Sequence, residues 1–125
     1  MANDILLYIG STAIILWGIA HIVFTKGVVK GFDPLSKDNK LVITMEWVAE
    51  GLTLIFIGLL VLLITVLEGT DNSVSIFVYR ASAVMLIVMA ILSLFTGARI
   101  PFLPYKLCPP LFTTAAILFI AGSVL

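Results

Sequence analysis

The chain has 125 residues, room for one domain, and 62% of them are hydrophobic while only 11% are charged. Typical globular proteins carry about 25% charged residues, so this chain cannot cover its surface for water, and lipid is the expected solvent. A formal net charge of +0 gives no reason to expect nucleic acid as a partner, and the single cysteine, Cys108, excludes both an internal disulfide and a CxxC redox motif.

A helix crossing a bilayer needs about 20 mostly apolar residues, because it rises about 1.5 Å per residue through a hydrocarbon core of about 30 Å. Four segments meet that requirement. The first, residues 5–25, follows MANDILLYIG, which lacks the basic start of a cleavable signal and is expected to open a true spanning helix. Gly27, Gly31, Asp33, Pro34 and Ser36 then break the chain. The second span, residues 41–67, opens on ITMEWVAEG, with Glu46 and Glu50 four residues apart. Gly69, Asp71 and Asn72 separate it from the third span, residues 74–98, for which Asn72 or Ser73 is a suitable N-cap. Pro101 and Pro104 are expected to end the third span, IPFLPYKLCPP to lie along the interface, and Pro109 and Pro110 to sit in the first turn of the fourth, residues 107–125. The predicted fold is all-α: one polytopic domain over residues 1–125, with four transmembrane helices in a bundle.

Six of the seven basic residues fall in two connections: Lys26, Lys30, Lys37 and Lys40 in residues 26–40, and Arg99 and Lys106 in residues 99–106. The positive-inside rule puts both connections in the cytoplasm and both termini outside, in a multi-pass cell-membrane protein. FTKG at 24–27 and FTGA at 95–98 end corresponding helices, a short match between the two halves.

The polar residues inside the spans are the candidates for chemistry, since intramembrane acids face the bundle interior and find partners. Glu46 and Glu50 share a helix face. Glu46 is shallow enough to reach the headgroups; Glu50, a turn deeper, needs a partner. His21 is the only histidine, late in the first span at the depth of Glu46, and Trp17 is four residues before it. The pair His21–Glu46 can carry a proton near neutral pH, whereas the plainer reading of Trp17 and His21 is an interfacial anchor. Arg99 is expected within reach of a glutamate or as a simple anchor, and Arg80 in an ion pair with Glu68 or Asp71. The candidate ligand- or proton-binding set is thus Glu50, Glu46, His21, Arg99 and Trp17. One histidine cannot hold a bis-histidine haem, no Glu-x-x-His pair marks a di-metal site, and a His/Glu/Glu metal site has no local motif, so no metal or cofactor is expected. No P-loop, HExxH, GxSxG or GxGxxG is present, and catalytic residues are unassigned. Gly51 and Gly58, and Ser93 with Gly97, mark close helix contacts.

The combination of GIAH at 18–21 and EGLTLIFIGLLVLL at 50–63 resembles the DoxX-like superfamily of small membrane proteins. The likeness implies a four-helix bundle, variously linked to oxidoreductase partners, redox stress or membrane assembly, and singles out His21 and Glu50. Glu46 and the lysine-rich connection lie outside that pattern. Three functions are compatible with the sequence. The first is binding or movement of a proton, cation or small amphipathic ligand, with a homo-oligomer or membrane partner. The second is an accessory subunit of a membrane complex, and the third an enzyme acting on a lipid-soluble substrate.

Overall fold

A computed structural model describes residues 2–125. The chain forms α1 (Ala2–Val23), α2 (Thr25–Lys30), α3 (Lys37–Glu68), α4 (Ser73–Phe95), a 3-10 turn (Gly97–Arg99) and α5 (Leu103–Val124), with no strand among the described residues. Four helices are long and apolar enough to cross a membrane: α1, α3, α5, and α4 taken with its 3-10 turn. Their outward faces carry exposed apolar side chains such as Leu16, Phe56, Leu63, Phe77 and Leu92, the surface that lipid, not water, would cover.

The helix ends differ from the sequence reading in instructive ways. The first span stops at Val23, and the segment read as a broken loop contains α2. Thr25 Oγ1 donates to the His21 carbonyl at 2.6 Å, satisfying an end carbonyl of α1, and burial of Val28 and Val29 holds TKGVVK as a short helix despite Gly27. The second span begins four residues early, at Lys37, because Ser36 Oγ accepts from Asn39 N at 3.1 Å as its N-cap. Asn72 Oδ1 caps α4 by accepting from Ser75 N at 2.9 Å. α4 ends at Phe95 and the 3-10 turn carries the third span on to Arg99, so that span covers the expected residues 74–98. The fourth begins at Leu103, with Pro104 in its opening turn, which leaves Pro109 and Pro110 inside the helix. Proline has no N–H to donate, so these two leave the carbonyls of Tyr105 and Lys106 without their usual helical partners. The FT pairs do occupy matching places: Thr96 Oγ1 donates to the Leu92 carbonyl at 2.6 Å, as Thr25 does to His21.

The spans form a square array in chain order. α1 packs most extensively on α3, α4 on α5, and α1 on α5, whereas α3 and α4 touch least, and the diagonal pairs make no close backbone approach. Small residues set the α1–α3 distance. A Cβ on Gly51 would lie 2.8 Å from the Gly18 carbonyl oxygen, and one on Gly58 would lie 2.8 Å from that of Ser11. These contacts are seven residues apart on both helices, so the antiparallel register is constant between them. Extending it puts Glu46 level with Val23, the last residue of α1, and Glu50 one turn further in. α3, at 32 residues, is about 48 Å long and overshoots α1, its first turns running beside α2 instead.

Between the pairs the core is apolar, built on Leu54, Val61, Tyr79, Leu86, Phe112 and Phe119. Tyr79 is fully buried, and its hydroxyl meets Thr65 Oγ1 at 2.9 Å, tying α3 to α4 near the Gly69 connection. At the same end Arg80 Nε donates to Ser123 Oγ at 3.3 Å. That corrects the expected pairing of Arg80 with Glu68 or Asp71: the guanidinium turns across to α5 instead of along its own hairpin.

Candidate functional site

The opposite end of the bundle holds the polar cluster. There α1 ends, α3 and α5 begin, and α4 gives way to its 3-10 turn, so four elements bring their side chains together. His21 is 2% exposed. Its Nδ1 lies 2.9 Å from the Trp17 carbonyl oxygen. A carbonyl only accepts, so Nδ1 carries the hydrogen, and in the neutral ring Nε2 is left with a free lone pair. That lone pair faces Glu50 Oε2 at 3.7 Å and Cys108 Sγ at 4.0 Å. The ligand-type atoms of His21, Glu50 and Cys108 all lie within 4.8 Å of one another.

Aromatic rings fix the imidazole on both sides. The Trp47 ring stacks on it with centroids 4.2 Å apart, and Trp17 meets it edge-on at 5.6 Å. Tyr105 closes the array by packing edge-on against Trp47 at 5.0 Å, and Gly97 fits beneath the Tyr105 ring, where a Cβ would come within 3.0 Å of Cδ1. The indole N–H groups of Trp17 and Trp47 are both buried; that of Trp17 lies beside the Cys108 thiol, and that of Trp47 has no hydrogen-bond partner among the described residues. A buried donor without a partner costs about 1–3 kcal/mol.

Glu50 faces a cavity of about 590 Å³. Its walls come from α3 (Glu46, Trp47, Thr53), α4 (Met85, Met89, Ser93) and α5 (Tyr105, Cys108), in the seam where α3 and α4 touch least. The volume suits a small organic molecule, and the lining is mostly apolar with a few polar groups at one end. A second, nearly wholly apolar cavity of about 430 Å³ lies among Trp17, His21, Phe24, Val28 and Leu107, and Trp47 borders both.

Three expected site residues behave differently from the sequence reading. The partner of His21 is Glu50, not Glu46: buried Trp47 occupies the space beside the imidazole, and Glu46 is exposed at the cavity rim. Arg99 reaches neither glutamate; it is exposed, with its guanidinium 5.8 Å from the centroid of Phe95. Trp17 serves through its backbone carbonyl as well as its ring. Sequence reasoning passed over Cys108 and Trp47. A lone cysteine fits no local motif, yet Cys108 stands five residues into α5, at the end of the bundle where His21 lies. Only the packing of α5 on α1 brings the two into reach.

Comparison with protein-family models, curated proteins and solved structures gives no match for this chain.

Proposed function

We propose that this small multi-pass membrane protein binds a small amphipathic molecule, cationic at its polar end, in the cavity between α3 and α4. Glu50 receives the polar end, His21 holds the carboxylate in place and exchanges a proton with it, and Met85 and Met89 adapt to the apolar body. What supports this reading is the position of Glu50: a carboxylate on the wall of an apolar cavity, whose only close ionisable partner of opposite type among the described residues is His21, which is charged only when protonated. A half-buried acid not used by a permanent ion pair has charge to offer a ligand. The loose α3–α4 seam suits entry from the lipid. The DoxX-like resemblance singles out the same two residues, His21 and Glu50.

The lipophilic cation tetraphenylphosphonium is a suitable probe. Calorimetry on purified protein in detergent is expected to show its affinity falling at least tenfold in Glu50→Gln, about 1.4 kcal/mol. Glu46→Gln, at the rim, is expected to change it less than threefold. Unchanged binding in Glu50→Gln removes this reading. A Glu50→Gln protein that loses its helical signal and aggregates makes Glu50 structural, and favours the accessory-subunit function.

The orientation belongs to the same proposal: residues 26–40 and 99–106 in the cytoplasm, both termini outside. Lys26, Lys30, Lys37, Lys40, Arg99 and Lys106 support it through the charge bias of short loops. In a Cys108→Ser background, an impermeant maleimide applied to intact cells is expected to label Asp71→Cys and to spare Asn39→Cys until the membrane is opened. The reverse pattern inverts the topology.

A further inference from the structure

We propose that His21, Glu50 and Cys108 form a three-ligand centre for a divalent transition-metal ion, with its fourth position facing the α3–α4 cavity. The proposal does not rest on the binding function above, and the two compete for Glu50: a carboxylate bound to the metal has no charge left for a cationic ligand.

Four features of the cluster point to a metal. The first is donor type: imidazole nitrogen, thiolate sulfur and carboxylate oxygen together suit zinc and its neighbours better than magnesium or calcium. The second is spacing. Bond lengths of about 2.0–2.3 Å in a tetrahedral zinc site place its ligand atoms about 3.3–3.6 Å apart. His21 Nε2 is already 3.7 Å from Glu50 Oε2 and 4.0 Å from Cys108 Sγ, with all three atoms within 4.8 Å of one another. Closing the triangle needs small side-chain movements, the largest between Glu50 and Cys108.

The third feature lies behind the imidazole. Metal-bound histidines nearly always donate their other ring N–H to a carbonyl or carboxylate, which fixes the tautomer and the ring. Here Nδ1–H meets the Trp17 carbonyl at 2.9 Å, and Trp47 stacks on the ring face, so Nε2 is held with its lone pair toward the other two donors. Trp47 is itself 6% exposed, with its indole N–H unpartnered beside the cavity. A water or anion on the fourth metal position would give such a donor a partner.

The fourth is charge. A divalent ion with one thiolate, one carboxylate and a neutral imidazole sums to zero. No Lys or Arg is paired with Glu50 among the described residues. An electroneutral unit avoids the cost that separate ions meet in a low-dielectric interior. On binding, the Cys108 thiol loses its proton to solvent and sulfur donates its electron pair to the metal; no electron is transferred.

The test uses the full chain in detergent, stripped with a chelator and titrated with Co²⁺, then with Zn²⁺. One Co²⁺ per chain is expected, with the intense near-ultraviolet band of thiolate-to-cobalt charge transfer, displaced by an equivalent of Zn²⁺. Cys108→Ser keeps the side-chain size and is expected to lose that band and at least tenfold in affinity. Glu50→Gln is expected to keep the band and lose about tenfold, and Glu46→Gln to change neither. Absence of the band in the wild-type protein overturns the metal centre, as does a band that survives in Cys108→Ser or an affinity indifferent to Glu50→Gln. Tetraphenylphosphonium binding measured on the same samples separates the two claims. Wild-type protein that binds the lipophilic cation in a Glu50-dependent way but takes up no Co²⁺ loses only the metal.

Discussion

Gly51→Leu is expected to destabilise the bundle by about 3 kcal/mol, the upper part of the usual range for overpacking a tight contact. The cause is local and rigid. A Cβ at residue 51 would stand 2.8 Å from the Gly18 carbonyl oxygen, 2.9 Å from Ile22 Cγ1 and 3.0 Å from His21 Cβ. Two of those three atoms belong to the backbone or to its first side-chain carbon, so rotamer changes cannot clear them. α1 and α3 must separate, losing the dispersion contacts that drive helix association where lipid is as apolar as the helix face. The separation also draws His21 from Glu50. Denaturant titration of the purified protein in mixed micelles, followed by helical circular dichroism, measures the loss. A Leu variant within about 0.5 kcal/mol of wild type, the scale of an ordinary surface substitution, would show that the α1–α3 contact is not tight.

The second large effect is expected from His21→Leu, which leaves Glu50 without the one group that pairs with it when protonated. With the imidazole charged, removing one member of a fully buried pair costs about 3–5 kcal/mol because the other charge stays behind uncompensated. Glu50 keeps 28% of its side chain exposed, toward the cavity, so about 2–3 kcal/mol is expected here after allowing for that access. The decisive measurement is a double-mutant cycle. His21→Leu with Glu50→Leu removes the stranded charge, so the double variant should be more stable than His21→Leu alone. Additive losses would mean that the 3.7 Å approach carries no coupling.

How much of this was legible in the sequence varies with the range of the interaction concerned. The type and number of the spanning helices follow from composition and local length, because backbone hydrogen bonds in hydrocarbon must close within each segment, and no partner is needed to read them. The Asn72 cap was legible for the same reason. Helix ends were harder where a tertiary contact overrides local punctuation: Gly27 reads as a breaker, yet burial of Val28 and Val29 keeps TKGVVK helical. The site was half legible. His21, Glu50 and Trp17 stood out as chemistry in an apolar run. The choice between Glu46 and Glu50 did not, since both share a face and the α1–α3 register falls between them; Trp47, one residue from Glu46, settles it by taking the space against the imidazole. Cys108 is 87 residues from His21, and no local pattern can connect them.

The square of helices can be seen as two covers of a book. One cover is α1 with α3, locked by glycines; the other is α4 with α5; the spine is the α1–α5 seam, and the loose α3–α4 seam is the open edge. His21 and Glu50 are printed on one cover and Cys108 on the other. Turning the covers about the spine therefore leaves the His21–Glu50 distance nearly constant and changes the 4.0 Å from His21 to Cys108 little, since these two flank the spine. The gap that widens is the one across the α3–α4 edge. A distance probe from α3 to α4, in lipid, would read the width of the cavity mouth.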